Sequence, residues 1–416
     1  MRILAISNMY PPHYHGGLEL TTRDIIEGLS SLDHVVHVLT STYKVDRPQT
    51  EGNVWRWLPD PFQYPRRLDS RMLRAQWQTR RALERALTKA SPDLVIVTGL
   101  VGLSSIVFEL LARRNIPHVY IVFDETLVDY VHLDTWFRLW NTYSPNPLKA
   151  GLKRIARFLV AAGGFPVHPQ PAGDGYTFGS MFLLESHRVH GTHIPHYIVL
   201  YPPIPAYFLQ VTGRPRLPQE PLRLLFAGRI CREKGVDTIL SALAYLREAG
   251  FEPLPVLTIA GRRLHDAYER ELFALIEAYE LQEYVDFTGL VSREQMAAVY
   301  ADHHVVVFAT RSNEPFGMVP VEAMAAGAAV IATATGGAKE FLRDGINALI
   351  FEPGDAKALA RHIRTLSRDE ALRQRLIENG RAASVRFIDQ RKWVAQLDLF
   401  LSSIVVGKRD HRAHRS

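Results

Sequence analysis

A single cysteine, Cys231, stands in a chain of 416 residues. That excludes an internal disulfide framework and fits a reducing compartment. Long apolar runs are missing as well, since no stretch approaches the roughly 20 residues needed to span a bilayer. The apolar segment Ile3 to Ile6 runs straight into Asn8-Met9-Tyr10-Pro11-Pro12, which is not the pattern of a secretory signal. Asp-x-Asp, His-Glu-x-x-His and Cys-x-x-Cys are all absent, so the 17 histidines belong to no recognisable metal motif. Nor is charge of one sign in large excess. A net charge of +6 and a pI near 9.3 suggest anionic ligands or surfaces and nothing sharper.

What is present is the composition of a soluble globular protein, 47% hydrophobic and 22% charged, with length enough for two domains. The most informative stretch is Glu314-Pro315-Phe316-Gly317-Met318-Val319-Pro320-Val321-Glu322-Ala323-Met324-Ala325-Ala326-Gly327. The apolar run Val305 to Ala309 before it reads as a buried parallel strand. Val319, Glu322, Ala323 and Ala326 fall at helical spacing, and Gly327 is placed to stop that helix. A strand, a glycine turn and a helix leave free N–H groups that bind anions, phosphate above all. Glu314 lies beyond the carboxyl end of the strand, where ligands of open α/β sheets collect. A carboxylate accepts from two vicinal hydroxyls at once, so Glu314 and Glu322 each suit a sugar or a ribose. The alternative for either alone is that it offsets the helix dipole.

Together these residues resemble the Glu-x7-Glu signature of the retaining GT-B glycosyltransferases called family 4. The resemblance implies two Rossmann-like, doubly wound α/β domains facing across a cleft. Residues 1–201 would bind the acceptor, 202–221 would be a proline-rich linker, and 222–385 would bind the donor. A helix over 386–405, striped by Trp393, Leu397, Phe400, Leu401 and Ile404, would cross back to the first domain. A basic, disordered tail would occupy 406–416.

The segment Gly228-Arg229-Ile230-Cys231-Arg232-Glu233-Lys234-Gly235 is similar to the family's Gly-Arg-x4-Lys-Gly. The resemblance makes Arg229 and Lys234 holders of a diphosphate, one by a planar fork and one as a point charge. Two surface cations on a loop are the alternative. Leu290 and Val291 follow a strand where the family's base-binding wall lies. Phe316, Gly317, Met318 and Val319 form the helix start beside the donor. In the first half, Gly16 and Gly17 match a glycine loop that faces the donor diphosphate; by themselves they mark only a turn. The strand His118 to Phe123 ends Phe123-Asp124-Glu125, whereas the family often has His-Asp there. Asp124 keeps its place and is expected to face the reacting centre, with a helix cap as the alternative.

Two basic amphipathic stretches have no counterpart in these motifs. Residues 64–90 carry eight Arg and Lys against Asp69 and Glu84, an excess equal to the +6 of the whole chain. Leu68, Met72, Ala75, Ala82, Leu83, Ala86 and Ala90 form an apolar stripe there, beside Arg67, Arg71, Arg74, Arg81 and Arg85. Leu148, Leu152, Ile155 and Leu159 form another, beside Lys149, Lys153, Arg154 and Arg157. Such helices lie on anionic membranes or simply keep a solvated face.

The function expected from these readings is transfer of a sugar from a nucleotide diphosphate sugar to an acceptor hydroxyl, with retention. The donor is a substrate, and no cofactor and no metal are expected: Arg229, Lys234 and helix starts would neutralise the departing diphosphate. The acceptor would be a carbohydrate or lipid-linked molecule at the cytoplasmic face of a membrane, with no nucleic-acid partner. A sugar phosphorylase, a nucleotide-sugar epimerase and a non-catalytic nucleotide-sugar-binding protein remain alternatives.

Overall fold

The computed structural model describes residues 1–14, 16–63, 70–128, 134, 136, 138, 140, 142, 145–163, 165, 167, 172–217, 219–263 and 267–413, with side chains through 408. The chain forms two compact units, Met1–Tyr201 with Arg391–Ser416, and Pro202–Gln390.

The first unit is built on eight strands: β1 (Arg2–Ser7), β2 (Val35–Ser41), β3 (Gln49–Glu51), β4 (Val54–Leu58), β5 (Leu94–Thr98), β6 (His118–Val122), β7 (Gly175–Phe178) and β8 (Tyr197–Val199). Their order is β3-β4-β2-β1-β5-β6-β7-β8, parallel except for the edge strand β3. Side chains alternate across a strand, and both faces here are covered. Ile3 and Ala5 therefore pack with α1 (Gly17–Ser30), while Leu4 and Ile6 pack with α2 (Ser70–Ala90) and α3 (Ile106–Arg114). The helices α4 (Pro147–Ala162) and α5 (Met181–Val189) complete its described helices before the second unit.

The second unit has six parallel strands: β9 (Arg223–Ala227), β10 (Val256–Ala260), β11 (Val285–Gly289), β12 (Val305–Phe308), β13 (Ala329–Ala332) and β14 (Leu349–Ile350). They run in the order β11-β10-β9-β12-β13-β14. Six helices accompany them: α6 (Val236–Glu248), α7 (Ala267–Ala278), α8 (Arg293–Ala301), α9 (Met318–Ala326), α10 (Ala356–Arg368) and α11 (Glu370–Ser384). Leu224, Phe226, Val305, Val307 and Ile331 form one core with α6, α7 and α10. Strand order reverses between β9 and β12, where Val305 is in register with Leu224. Such a reversal opens a crevice at the carboxyl ends of the two strands.

The proline-rich stretch expected to be a linker over 202–221 has its own anchors. Residues 202–217 pack on the second unit, because Ile204 and Phe208 are fully buried and Phe208 meets the Tyr300 ring at 6.0 Å. Arg214 N donates to Ala301 O at 2.7 Å, and a Cβ on Gly213 would lie 2.3 Å from Gly327 O. Proline stiffness and an apolar anchor make this stretch part of the domain.

The chain ends in α12 (Gln390–Ala413), which extends beyond the helix expected to stop at 405. Trp393, Val394, Leu397, Leu401, Ile404 and Val405 join Ile25, Leu29 and Val36 in the first unit's core. Gly28 of α1 leaves room for it, since a Cβ there would meet Val394 at 2.5 Å. Lys408 continues the attachment by donating to both Asp174 oxygens, at 2.8 and 2.6 Å. Burial pushes the Asp174 carboxyl up, yet hydrogen bonds from His118 and Lys408 outweigh that and hold it at about 2. The expected tail at 406–416 is thus helical to 413, and 414–416 lie outside the described residues. So do 64–69, the opening of the first basic stretch.

All six tryptophans belong to the first unit, so their fluorescence reports its unfolding alone. Leu397→Ala should lower the stability of that transition in urea by about 2–5 kcal/mol, the usual range for truncating a buried leucine. An unshifted tryptophan transition would show that α12 is dispensable to the first unit.

Candidate active site

At the end of β9, Gly228 takes φ +143, a conformation open to glycine, and its carbonyl faces Gly261 where a Cβ would sit 1.9 Å away. Arg229 follows, exposed, its carbonyl accepting from Cys231 N at 3.1 Å. A 3-10 turn over Arg232–Lys234 ends at Gly235, whose φ is +71. A Cβ on Gly235 would meet Ala309 O at 2.1 Å, so only glycine lets this turn press against the end of β12. Arg311 N locks the two loops by donating to Glu233 O at 2.7 Å.

That approach brings Lys234 onto Glu314, its ammonium in direct contact with Oε1. Thr310 Oγ1 can donate to the same oxygen, at 3.2 Å, or to Glu233 O at 3.1 Å. Glu314 is buried, and its backbone is cradled from the other side. Gly337 N donates to Glu314 O at 2.7 Å, and a Cβ on Gly336 would come within 2.2 Å of that oxygen. Beneath the turn, the Phe316 ring packs on Phe341 and Phe387, each with centroids 5.2 Å away.

Gly317, at φ +98, starts α9, and Gly327, at φ +86, ends it. The first turn, with Met318 and Val319, has no side-chain cap and no acidic residue. Its N–H groups and the helix dipole therefore present positive potential that no carboxylate offsets within the turn. Glu322 comes next on α9 and accepts from the buried Tyr300 hydroxyl at 3.0 Å. Burial pushes the Glu322 carboxyl up to about 7, against the opposing pull of Arg293 and the Tyr300 hydrogen bond.

The structure thus joins Lys234 to Glu314 and places Gly228, Arg229, Phe316 and Gly317 around the same strand ends. Glu322 is joined to Tyr300 instead. Leu290 is exposed and Val291 half-buried, both just after β11. Gly16, Gly17 and Asp124 lie in the first unit. Gly16 N donates to Glu19 Oε2 at 3.0 Å, so the α1 start is answered by its own carboxylate, while a Cβ on Gly17 would meet nothing within 4 Å. Asp124 Oδ1 accepts from Thr126 N at 3.0 Å, the local cap that was the alternative reading. Phe123 packs against the apolar core.

Two participants escape the sequence reading. Thr310 was available as the first polar residue after an apolar strand. Tyr300 was not, because only folding brings it to a glutamate 22 residues away.

Two doubly wound units, the second with its switch point at Gly228 and Glu314, define the GT-B class of fold. Solved structures agree on that fold. Sucrose-phosphate synthase from Thermosynechococcus elongatus superimposes with a TM-score of 0.73 at 19% identity, over 98% of this chain and 100% of that one. Anabaena Alr3699/HepE, in complex with UDP and glucose, gives 0.69 at 21%, over 97% and 100%. Residues 212–383 match the family described as glycosyl transferases group 1, and residues 16–161 match a glycosyl transferase 4-like domain. The chain belongs to the group 1 glycosyltransferase family. One curated relative is a D-inositol 3-phosphate glycosyltransferase of Xylanimonas cellulosilytica, 32% identical over 48% of this chain and 47% of that protein. The chain thus spans about half the length of the curated relatives it matches.

The raised Glu322 carboxyl stabilises the fold while protonated. That contribution is complete below about 4.5 and is lost as pH rises through about 7. Glu322→Gln should therefore melt higher than the parent at pH 8, with the difference vanishing below about pH 4.5. Equal offsets at both pH values in a thermal melt would contradict this assignment.

Proposed function

We propose that this protein transfers a sugar from a nucleotide diphosphate sugar to an acceptor hydroxyl with retention of anomeric configuration. The observation that carries the reading is the Lys234–Glu314 contact at the carboxyl ends of β9 and β12, beside an uncapped helix start. Arg229 and Lys234 take the diphosphate, with Gly228 and the N–H groups from Gly317 to Val319 at its oxygens. Glu314 orients the donor sugar, Glu322 accepts from the ribose hydroxyls, and Leu290 and Val291 border the base. A structural neighbour that holds UDP and glucose supports a donor of this chemistry.

In the reaction the bond from the anomeric carbon to the diphosphate breaks, and the acceptor oxygen bonds to that carbon on the same face. The acceptor proton leaves toward the departing phosphate oxygen. Charge on the leaving group is met by Arg229, Lys234 and the helix start, already in place before the reaction, so a metal is not required. Gly16, Gly17 and Asp124 belong to the unit that supplies the acceptor. We assign a carbohydrate or lipid-linked acceptor of cell-surface polysaccharide or glycolipid assembly, at the cytoplasmic face of a membrane reached through the basic segments.

Phe123 in place of a polar residue favours one other reading, a protein that binds a nucleotide sugar without turning it over. Slow release of nucleoside diphosphate from a donor panel would set that aside.

Lys234→Ala and Arg229→Ala should each lower turnover by about 10²–10³-fold, the scale of losing one preorganised charge donor. Thermal midpoints should stay near the parent's, and a chelator should leave the parent's rate unchanged. Parental rates in both variants would remove the leaving-group clamp.

A further inference from the structure

The two basic amphipathic stretches look alike in sequence and fold to opposite ends. In α2 the stripe of Met72, Ala75, Ala82, Leu83, Ala86 and Ala90 is buried. Its cations stay at home: Arg80 pairs with Glu84, Arg85 lies 4.3 Å over the Trp57 ring, and Arg81 lies 4.3 Å over Trp77. In α4 the stripe faces out. Leu148, Leu152, Ile155, Phe158 and Leu159 are between 61% and 78% exposed, and none of the helix's residues is buried. Exposed apolar residues are ordinary singly, but five large ones on one helix mark an interaction site.

The helix is well formed without a partner. Asn146 accepts from Leu148 N and Lys149 N at 3.0 and 3.1 Å, and Pro147 occupies the first turn. Ala156 and Val160 attach it to the small cluster of Met72, Trp136 and Trp140, which leaves the leucine stripe free. Charge decides the occupant. Lys149, Lys153, Arg154 and Arg157 are answered by no acidic residue on the helix. A second copy packed through the same face would set these cations against each other, whereas an anionic lipid surface satisfies both stripe and charge. Sixteen residues rise about 24 Å, short of a bilayer core. Among the described residues no helix is long and apolar enough to cross a membrane.

We propose that α4 is an in-plane anchor: it lies parallel to an anionic bilayer, with its Leu148–Leu152–Ile155–Leu159 stripe sunk below the headgroups. This deepens the membrane-facing part of the function proposed above. The test reads lipid binding rather than turnover, so either reading can fail without the other.

The full chain is mixed with vesicles of phosphatidylcholine, with and without phosphatidylglycerol, and separated by flotation. The parent should partition onto the anionic vesicles. Leu152→Glu combined with Leu159→Glu should cut that partition at least tenfold, with an unchanged tryptophan unfolding curve. Leu73→Glu, on α2, should leave it within about twofold. In a Cys231→Ser background, an environment-sensitive dye on Leu152→Cys should shift to the blue on anionic vesicles. Lipids with spin-labelled acyl chains should quench it. Three results would overturn the proposal: no partition of the parent, partition with an unquenched dye at 152, or loss of a dimer rather than of lipid binding in the glutamate variant.

Discussion

Two loops meet at the end of β12 because glycine removes every Cβ that would keep them apart, and the contact they enforce is Lys234 on Glu314. Gly235 sits against Ala309 O, and Gly336 against Glu314 O, with no room for a methyl at either place. The carboxylate is thereby buried with an ammonium and a threonine hydroxyl as its partners. Desolvation offsets most of the attraction in such a pair, so stability is a poor explanation for keeping it. Its value lies in what it holds ready. A cation and a carboxylate in contact can exchange each other for a phosphate and a hydroxyl, with little rearrangement of the backbone around them.

The two glutamates of the same stretch live in different electrostatic surroundings. Glu314 has a lysine. Glu322 has a tyrosine hydroxyl and the more distant Arg293, and burial prevails over both. Identical side chains eight positions apart thus meet different partners, which other segments place beside them.

Family membership and fold leave the first unit less constrained in function than the second. Its Asp124 makes a local hydrogen bond to Thr126 N, and its Gly16 N–H is answered by Glu19. Phe123 spends its ring on the apolar core. The features that folding does not explain are outside the sheet, on α4, where a leucine stripe is left in water. Small residues fit the burial of α2: Ala75, Ala82, Ala86 and Ala90 let that helix press onto the sheet, whereas the large side chains of α4 are exposed.

Period and punctuation in the sequence determined the strands. The apolar run from Val305 to Ala309, read as a buried parallel strand, stands in the structure as β12 (Val305–Phe308), one residue shorter. The helix from Met318 to its glycine stop was equally legible, since local backbone preference decides both ends. Short edge strands such as β3 and β14 carry too few residues to show a period, and they exist only through their neighbours. The attachments of the linker and the tail were not legible for a related reason: prolines at 202–221 and charge after 405 describe the segments, while Phe208 and Lys408 attach them through distant partners. Likewise the sequence named Lys234, Glu314 and Glu322 but not their pairing. Which residue meets which, and whether an amphipathic stripe is covered or left bare, depends on contacts between segments far apart in the chain. Those contacts only the tertiary structure decided.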